Sequence, residues 1–521
     1  MKNVTLDALI PREDFEIIDE LENSNISRNK STLSIEDLSF DSFFFSALRK
    51  PDFQRETNEW SPEKICGFIE SFVKGELVPA IILWKHKNGY IFVIDGSHRL
   101  SALGAWINDD YGDNDISLNY YEKFIPQEQK EIAEYTRKLV NEKIGSFKDY
   151  QRARRNSEGI PQYILDNVKN LGAIALQIQW VEGDSATAEK SFLKINQSAT
   201  PISNAELELI QSRRMPYAIA AIMRAGKGHN YWSIFDSEVQ KNIKNIAGNI
   251  HQILFSGDNF SESSNLSNLP IGGNFASTST LDLINQTVKI SNNIDEKTDY
   301  EIDNDGSKTL KYLKNTLELL QLIHSKEKFS LGLHPFIYFY SNIGKHKIAS
   351  YYGILELFYR LKTQKKINEF CKVRSRFEQI LLKYEFLIQQ IVRKWRQSKR
   401  GYKEVADYFE QIITLLNQNP NAPIETIIDD LVKISKFNYL KIAIIDNTSN
   451  HTNRKDFSRG EKVQIKVNTL IKGIPLCPIC NGYIDMNSSS IDHIQRKRDG
   501  GIAEINNGQV THIYCNTTLK N

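Results

Sequence analysis

Two pairs of metal-ligand residues near the end of the chain are the strongest constraint on its fold. The stretch "CPIC" sets Cys477 and Cys480 three positions apart, and "HIYC" repeats this spacing with His512 and Cys515. Such pairs can turn both side chains toward one tetrahedral ion, and thiolate and imidazole ligands favour zinc. Because about 45 residues bury little core, a bound metal would help the segment to fold. We therefore expect a structural zinc site here, with incidental or reactive cysteines as the alternative.

The composition is that of a soluble globular protein. The chain has 521 residues, 40% of them hydrophobic and 25% charged, which is enough for two or three domains. Three of only five cysteines lie in the ligand pairs, a pattern that favours metal binding over disulfides. No stretch approaches the ~18 apolar residues of a membrane span, and the acidic first segment lacks the apolar core of a secretory signal. We expect a cytoplasmic protein with no membrane association.

The chain is expected to have an α+β fold in three regions. Residues 1–210 are expected to form an α/β domain that begins with an irregular lead-in containing short helices over 1–50. Residues 211–445 are mainly helical, and the Ser-, Asn- and Asp-rich part at 256–308 is expected to be a flexible insertion. Residues 446–521 are expected to be a linker and a small zinc-bound module. The patterns in the first region predict helices over 61–75, 98–108 and 187–196 and strands over 78–84, 90–95 and 174–183.

Further polar residues lie between the two ligand pairs. Asp492 and His493 end the stretch "SSSIDH", a glycine pair follows, and Asn507 and Asn516 come later. The order C-x-x-C, D-H-I, G-G, N, then x-x-C-N resembles the HNH, or ββα-metal, nuclease family, although His512 stands where many members have cysteine. The resemblance covers nearly the whole tail and implies a zinc-bound ββα module.

The HNH resemblance implies roles for these residues in phosphodiester hydrolysis. His493 would be the general base, since a neutral imidazole can accept a proton near pH 7. Asp492 and Asn516 offer oxygen ligands of the kind that Mg²⁺ or Mn²⁺ prefers, and Asn507 would orient the imidazole. A zinc ribbon without activity, which needs only the four metal ligands, is the alternative. A basic run could contact DNA phosphates without reading sequence: Arg496, Lys497 and Arg498.

A second group of polar residues lies where the strand pattern at 90–95 meets the next helix. The stretch "VIDGSHRLSAL" follows "FQRETNEW" and precedes "FLKINQSATPISNAEL". Together these segments resemble the ParB/sulfiredoxin-like superfamily, and within it the DGQQR-motif domains of GmrSD-type restriction enzymes and SspE-type phage-defence nucleases. Ser97 replaces the first Gln of that motif, whereas Asp95, Gly96, His98 and Arg99 keep their places.

The turn is chemically suited to phosphate. A helix that starts there presents unpaired N–H groups and the positive end of its dipole, and arginine binds phosphate with a bidentate fork. Asp and Ser are also ordinary N-caps and turn residues, so a purely structural turn is the alternative. The expected nucleotide- or phosphate-binding residues are Gln54, Arg55, Asp95, Gly96, Ser97, His98, Arg99 and Asn196.

The two resemblances together imply a nuclease of bacterial defence that cuts or nicks foreign DNA, such as phage DNA. In the families that the chain resembles, the N-terminal domain binds or hydrolyses a nucleoside triphosphate and senses modified DNA. The expected cofactors are therefore structural zinc, catalytic Mg²⁺ or Mn²⁺, and an NTP with an accompanying NTPase activity. A non-catalytic DNA- or nucleotide-binding regulator remains an alternative, as does a nuclease whose N-terminal domain only reads DNA. The sequence leaves an oligomer or partner proteins open.

Overall fold

The computed structural model divides the chain into two compact units. The first comprises Met1–Arg213 and Lys227–Asp236, and the second Arg214–Gly226 and Ser237–Asn521. The residues that the structure describes are 3–13, 15, 29–51, 54, 57, 60–87, 89–121, 125, 127–199, 208, 212, 215–222, 235–257, 266–273, 277–294, 302–395, 398–449 and 459–520.

The first unit is built on a mixed sheet of six strands in the order β1-β3-β5-β4-β6-β2. The central strands β4 and β5 are antiparallel, whereas β3 runs parallel to β5 and β6 runs parallel to β4. The strands are β1 Arg12–Glu13, β2 Thr32–Leu33, β3 Leu48–Pro51, β4 Ile81–Lys85, β5 Ile91–Asp95 and β6 Leu176–Val181. The helices are α1 Phe43–Ala47, α2 Pro62–Val73, α3 Ser97–Asn108, α4 Asp115–Tyr120, α5 Gln127–Lys143, α6 Phe147–Ala153, α7 Gln162–Leu171 and α8 Ser185–Ala199.

Local signals determine several of these elements. Ser61 caps α2, its hydroxyl accepting from the Lys64 N–H at 3.3 Å, and Pro62 occupies the first turn as predicted. The structure confirms the predicted helices at 61–75, 98–108 and 187–196 and the three predicted strands, with ends shifted by a few residues.

Both faces of the sheet are covered. Along β5, Ile91 and Val93 face a large core shared with α2, α3 and α5, whereas Phe92 and Ile94 face a smaller core with Phe192 of α8. This alternation follows from the two-residue period of a strand. The first unit thus has helices packed on both faces of a mixed sheet.

The lead-in at 1–50 is more regular than expected. Leu6, Leu9 and Ile10 are buried, and β1 pairs in parallel with β3. The carboxylate of Asp7, also buried, accepts from Lys50 Nζ at 2.5 Å and from the Thr57 N–H at 2.9 Å. Short helices occur in this segment as expected, at Asp7–Leu9, Glu36–Leu38 and Phe43–Ala47. The strands β1 and β2 and the buried ion pair were not predicted, because two-residue strands and an ion pair leave no periodic pattern.

The second unit consists mainly of helices. Those that the structure describes are α9 Pro216–Ile222, α10 Ser237–Phe255, α11 Ser277–Ser291, α12 Ser307–Ile323, α13 Pro335–Phe339, α14 Ile348–Thr363, α15 Ile367–Lys383, α16 Glu385–Trp395, α17 Ser398–Gln418, α18 Ile424–Lys433, α19 Leu440–Ser449 and α20 Arg459–Ile471. In the described part of the chain, no helix combines the length and apolar character needed to cross a bilayer.

Helix α11 lies inside the segment predicted to be a flexible insertion. Its side chains Leu283, Ile284 and Val288 are buried, and the Thr287 hydroxyl lies 3.0 Å from the Tyr351 hydroxyl of α14. At these residues the structure has a packed helix where the sequence predicts flexibility. Because polar residues occupy one side of the helix, the overall composition of the segment does not reveal the apolar face on the other side. The rest of 256–308 includes stretches outside the described residues.

The second unit ends in an antiparallel hairpin of β7 Ser489–His493 and β8 Gly508–His512, followed by a π-helical turn at Cys515–Leu519. The hairpin is fastened to the helices by backbone and side-chain contacts. The Tyr514 N–H donates to the Ser330 carbonyl at 3.0 Å, and Thr517 Oγ1 donates to the Lys328 carbonyl at 2.7 Å. The hairpin segment therefore packs on the helical body.

A buried charged group supports this attachment. Glu378 of α15 is fully buried and accepts from Arg374 Nε at 2.8 Å, from the Tyr338 hydroxyl at 2.7 Å and from the Tyr483 N–H at 2.8 Å. Arg374 also donates to the carbonyls of Leu331 and Gly332. Because Arg374 is itself 1% exposed and Glu378 is its carboxylate partner, removal of Glu378 leaves a buried cation without a compensating charge.

We expect Glu378→Ala to reduce the free energy of unfolding of the second unit by about 3–5 kcal/mol, because Arg374 stays buried without its carboxylate. The measurement is guanidinium unfolding followed by helical circular dichroism. The matched control is Glu318→Ala, which removes the partner of Lys362 from an exposed ion pair and should shift the midpoint little. Equal midpoints for the two variants would contradict the assignment of a supporting role to Glu378.

Candidate functional site

The four predicted zinc ligands come together in the structure. The ligand atoms of Cys477, Cys480, His512 and Cys515 all lie within 4.8 Å of one another. His512 Nδ1 is 3.3 Å from the Cys480 sulfur and 3.7 Å from the Cys515 sulfur. A sulfur and a nitrogen bound to one tetrahedral zinc stand ~3.5 Å apart, so this donor set fits zinc.

The surroundings of the cluster orient its ligands. His512 Nε2 lies 2.9 Å from the Tyr483 carbonyl, which accepts the ring N–H and leaves Nδ1 free to bind a metal. The first ligand pair lies on a tight turn, in which the Cys477 N–H donates to the Gly482 carbonyl and Asn481 adopts a left-handed φ of 54°. His512 and Cys477 are fully buried, which protects the cluster from water. The arrangement suits a closed structural site.

Asp492 lies on β7, which pairs with β8, the strand that ends at the predicted ligand His512. Asp492 is 5% exposed and accepts from Gln509 Nε2 of β8 at 2.9 Å and from Lys520 Nζ at 2.5 Å. Lys520 Nζ also donates to the His493 carbonyl. No sequence pattern points to Lys520, because 28 positions separate it from Asp492 and no motif links them.

Two further predicted catalytic residues, Asn516 and His493, differ in their hydrogen bonds. Asn516 Nδ2 donates to Ser490 Oγ at 3.2 Å and to the Ile491 carbonyl at 3.3 Å, so Asn516 lies against the same strand as Asp492. His493 is the last residue of β7 and is partly exposed. Strand alternation assigns it to the face opposite Asp492, and no hydrogen bond of its ring occurs among the described residues.

Asn507 is used differently from the expectation. Its Oδ1 accepts from the Gln495 N–H at 2.7 Å and its Nδ2 donates to the Ile502 carbonyl at 2.8 Å. The side chain therefore holds the loop after β7 and does not orient the imidazole. The loop also requires Gly501, since a Cβ there would lie 2.0 Å from the Gln495 carbonyl oxygen.

The predicted DNA-contacting run lies on this same loop. Lys497 and Arg498 are exposed within the short turn Lys497–Asp499, and Arg496 before it is partly buried. The run thus begins three residues after His493 along the chain. An exposed basic loop can bind phosphates by charge alone.

In the first unit, the turn between β5 and α3 has the predicted form. Gly96 is the N-cap with a φ of 101°, and a Cβ there would lie 2.5 Å from Ile81 Cδ1. Arg99 donates to Asp95 Oδ2 at 2.6 Å, so its guanidinium is already paired with a carboxylate one turn away. Ser97, at the start of the helix, is 6% exposed. The side chains that could bind phosphate are therefore held in place before any ligand arrives.

Gln54 joins this turn from a distant segment. Its Nε2 donates to Ser97 Oγ at 3.3 Å, while its buried Oε1 has no hydrogen-bond partner in the described part of the protein. The backbone carbonyl of Gln54 accepts from Arg12 Nε at 3.0 Å, and Arg12 also pairs with Asp7 in a buried ion cluster that no sequence motif predicts. Buried amide oxygens without a partner are costly, which makes this position a candidate for ligand contact.

Three other residues were predicted to bind nucleotide or phosphate: His98, Arg55 and Asn196. His98, expected to bind phosphate, stacks on Trp60 with ring centroids 5.7 Å apart. Arg55 lies outside the described residues. Asn196 belongs to α8, and its side chain is outside the described part.

Residues 35–213 match the family described as GmrSD restriction endonuclease, N-terminal domain. The match spans about a third of the chain and ends before the hairpin and its metal ligands. No curated protein matches the chain. No solved structure matches it either. The match supports the predicted similarity of this region to GmrSD-type N-terminal domains.

We expect the purified protein to contain one zinc ion per chain, because the donor set fits tetrahedral zinc. The double substitution Cys477→Ser/Cys480→Ser removes two thiolates and should abolish zinc retention and increase hydrogen exchange in β7 and β8. Metal content by mass spectrometry and exchange of the two strands are the readouts. Cys66→Ala, a buried cysteine of the first unit, is the control and should keep the zinc. Retention of a full equivalent by the double variant would refute the site.

Proposed function

We propose that the protein is a DNA endonuclease of bacterial defence, in which the hairpin segment hydrolyses phosphodiester bonds. The observation that carries the proposal is the position of two side chains in the segment that carries the predicted zinc ligands: Asp492 lies on β7, and Asn516, in the turn that follows β8, is hydrogen-bonded to Ser490 and Ile491 of the same strand. The GmrSD-type domain of the first unit supports DNA as the substrate. Phage or otherwise foreign DNA is the substrate class proposed.

The chemistry follows from three side chains. Asp492 and the Oδ1 of Asn516 would hold Mg²⁺ or Mn²⁺, hard cations that prefer oxygen ligands. When bound, this ion would polarise the phosphate and stabilise the leaving oxygen. His493 would take a proton from the attacking water, a role that its partial exposure permits. Strand alternation puts the ring of His493 on the face opposite Asp492. Because His493 ends β7 and its ring makes no hydrogen bond among the described residues, rotation of the side chain would bring the ring to the phosphate.

The loop after β7 would bring the DNA backbone to this site. Lys497 and Arg498 are exposed and close in sequence to His493, so phosphates that they bind lie near the proposed base. Such contacts give affinity without sequence choice. Discrimination of foreign DNA would then belong to the first unit.

We expect the protein with Mg²⁺ or Mn²⁺ to nick or cleave plasmid and phage DNA, and His493→Ala to reduce the rate at least ~100-fold, because general-base catalysis is worth about 10²–10⁴-fold. Rates on unmodified and modified DNA should be measured with an NTP panel. The matched control is Ile491→Ala on the same strand, an exposed residue that should leave the rate unchanged.

His493→Ala purified in parallel also reports contaminating nuclease. Equal rates for this variant and the wild type would refute the proposed mechanism. If neither protein cuts any substrate, a non-catalytic DNA- or nucleotide-binding regulator becomes the better description.

We also propose that the first unit binds the phosphates of a nucleoside triphosphate at the start of α3. Gly96 allows close approach of the backbone, Arg99 supplies a guanidinium, and the partnerless Oε1 of Gln54 lies beside Ser97. The helix is 12 residues long, so its dipole adds a favourable field for anions. Nucleotide binding there would regulate the nuclease, which limits damage to the host.

We expect isothermal titration to detect NTP binding to the wild type and at least tenfold weaker binding to Arg99→Ala, because a charge-assisted hydrogen bond is lost. Arg152→Ala, which changes an exposed arginine on α6, is the control. If the wild type binds no NTP while Arg99→Ala alters DNA binding, the first unit reads DNA instead. This outcome would overturn nucleotide regulation without touching the nuclease proposal.

A further inference from the structure

Lys520 forms an ion pair with Asp492, the proposed metal ligand. The distance from Lys520 Nζ to Asp492 Oδ2 is 2.5 Å, and the same ammonium donates to the His493 carbonyl. Both side chains are nearly enclosed, with 14% of Lys520 and 7% of Asp492 exposed. A lysine in a solvent-exposed pair would move freely, whereas this one is held by two acceptors of the same strand.

The chain geometry after the last zinc ligand positions this lysine. Cys515–Leu519 forms a π-helical turn, and the Lys520 N–H donates to the Cys515 carbonyl at 3.1 Å. Asn516, in the same turn, donates to Ser490 and Ile491 of β7. One turn thus presents an amide and an ammonium to successive residues of β7, and such turns frequently occur at functional sites.

The charge balance of this site is unusual for a metal ligand. A buried carboxylate is stable only with compensating charge or hydrogen bonds, and Asp492 receives one ammonium and one amide. A divalent cation at the same oxygen would meet the ammonium at close range. Like charges at that distance in a partly buried place repel strongly.

On the basis of the proposed nuclease function, we propose that Lys520 is a resident cation that competes with the divalent metal ion for Asp492. Metal binding then requires the ammonium to leave the carboxylate, which weakens metal affinity in the absence of DNA. A DNA phosphate supplies an alternative acceptor for the displaced ammonium. Lys520 is therefore a positioning residue that couples metal loading to the presence of substrate.

The test measures Mn²⁺ binding to the full-length, zinc-loaded protein without DNA, by electron paramagnetic resonance of free Mn²⁺. We expect Lys520→Gln to bind Mn²⁺ at least about tenfold more tightly than the wild type, because the competing charge is gone. Lys520→Arg retains the charge and should bind as weakly as the wild type. Lys472→Gln removes an exposed lysine outside the site and should change nothing. Asp492→Asn/Lys520→Gln should lose the added affinity.

Equal or weaker Mn²⁺ affinity of Lys520→Gln, in a variant that keeps its zinc and circular dichroism spectrum, would overturn the competition. Tighter binding that persists in Asp492→Asn/Lys520→Gln would also overturn it, since the metal would then lie elsewhere. Neither result decides whether the protein cuts DNA, because the cleavage rate of His493→Ala tests that separately.

Discussion

The Cys₃His cluster fixes the register of the hairpin and, through it, the arrangement of the proposed active site. His512 is both a predicted zinc ligand and the last residue of β8, paired with Ser489 at the start of β7. A slip of one residue would turn every side chain of β8 to the other face. The ring of His512 would then leave the cluster, and Gln509 would leave Asp492. Metal binding and the placement of Asp492 are thus a single structural constraint.

The helical body completes this constraint from the other side. Glu378 accepts from the Tyr483 N–H, and the Tyr483 carbonyl accepts from the ring of His512. The backbone of Tyr483 therefore links the buried Glu378 carboxylate of α15 to the predicted metal ligand His512. Because the small hairpin segment buries few apolar side chains, this contact supplies rigidity that its own core lacks.

Short-range patterns in the sequence predict many of the helices and strands and the four zinc ligands. The features that the patterns do not predict depend on contacts between residues far apart in the chain. The caps of α2 and the two ligand pairs lie within a few positions, so the pattern identifies them. Lys520 meets Asp492, and Asp7 meets Lys50, only after the chain has folded. The role expected of Asn507 came from family resemblance, and the local geometry of its loop determines its contacts instead. Helix α11 was missed because polar residues dilute its apolar face.

Both candidate sites share one electrostatic arrangement. In the first unit Arg99 is paired with Asp95, and in the second Lys520 is paired with Asp492. A phosphate or a metal ion must exchange partners with an existing ion pair at each site, so the net gain on binding is smaller than the new contact alone. The Asp95 side chain is 34% exposed and that of Asp492 only 7%, so water can replace a lost partner more readily at Asp95. Exchange of the ion-pair partner should therefore cost less free energy at Asp95, in the turn before α3, than at Asp492. At β7, an incoming ligand has to compensate the buried carboxylate at the moment the ammonium departs.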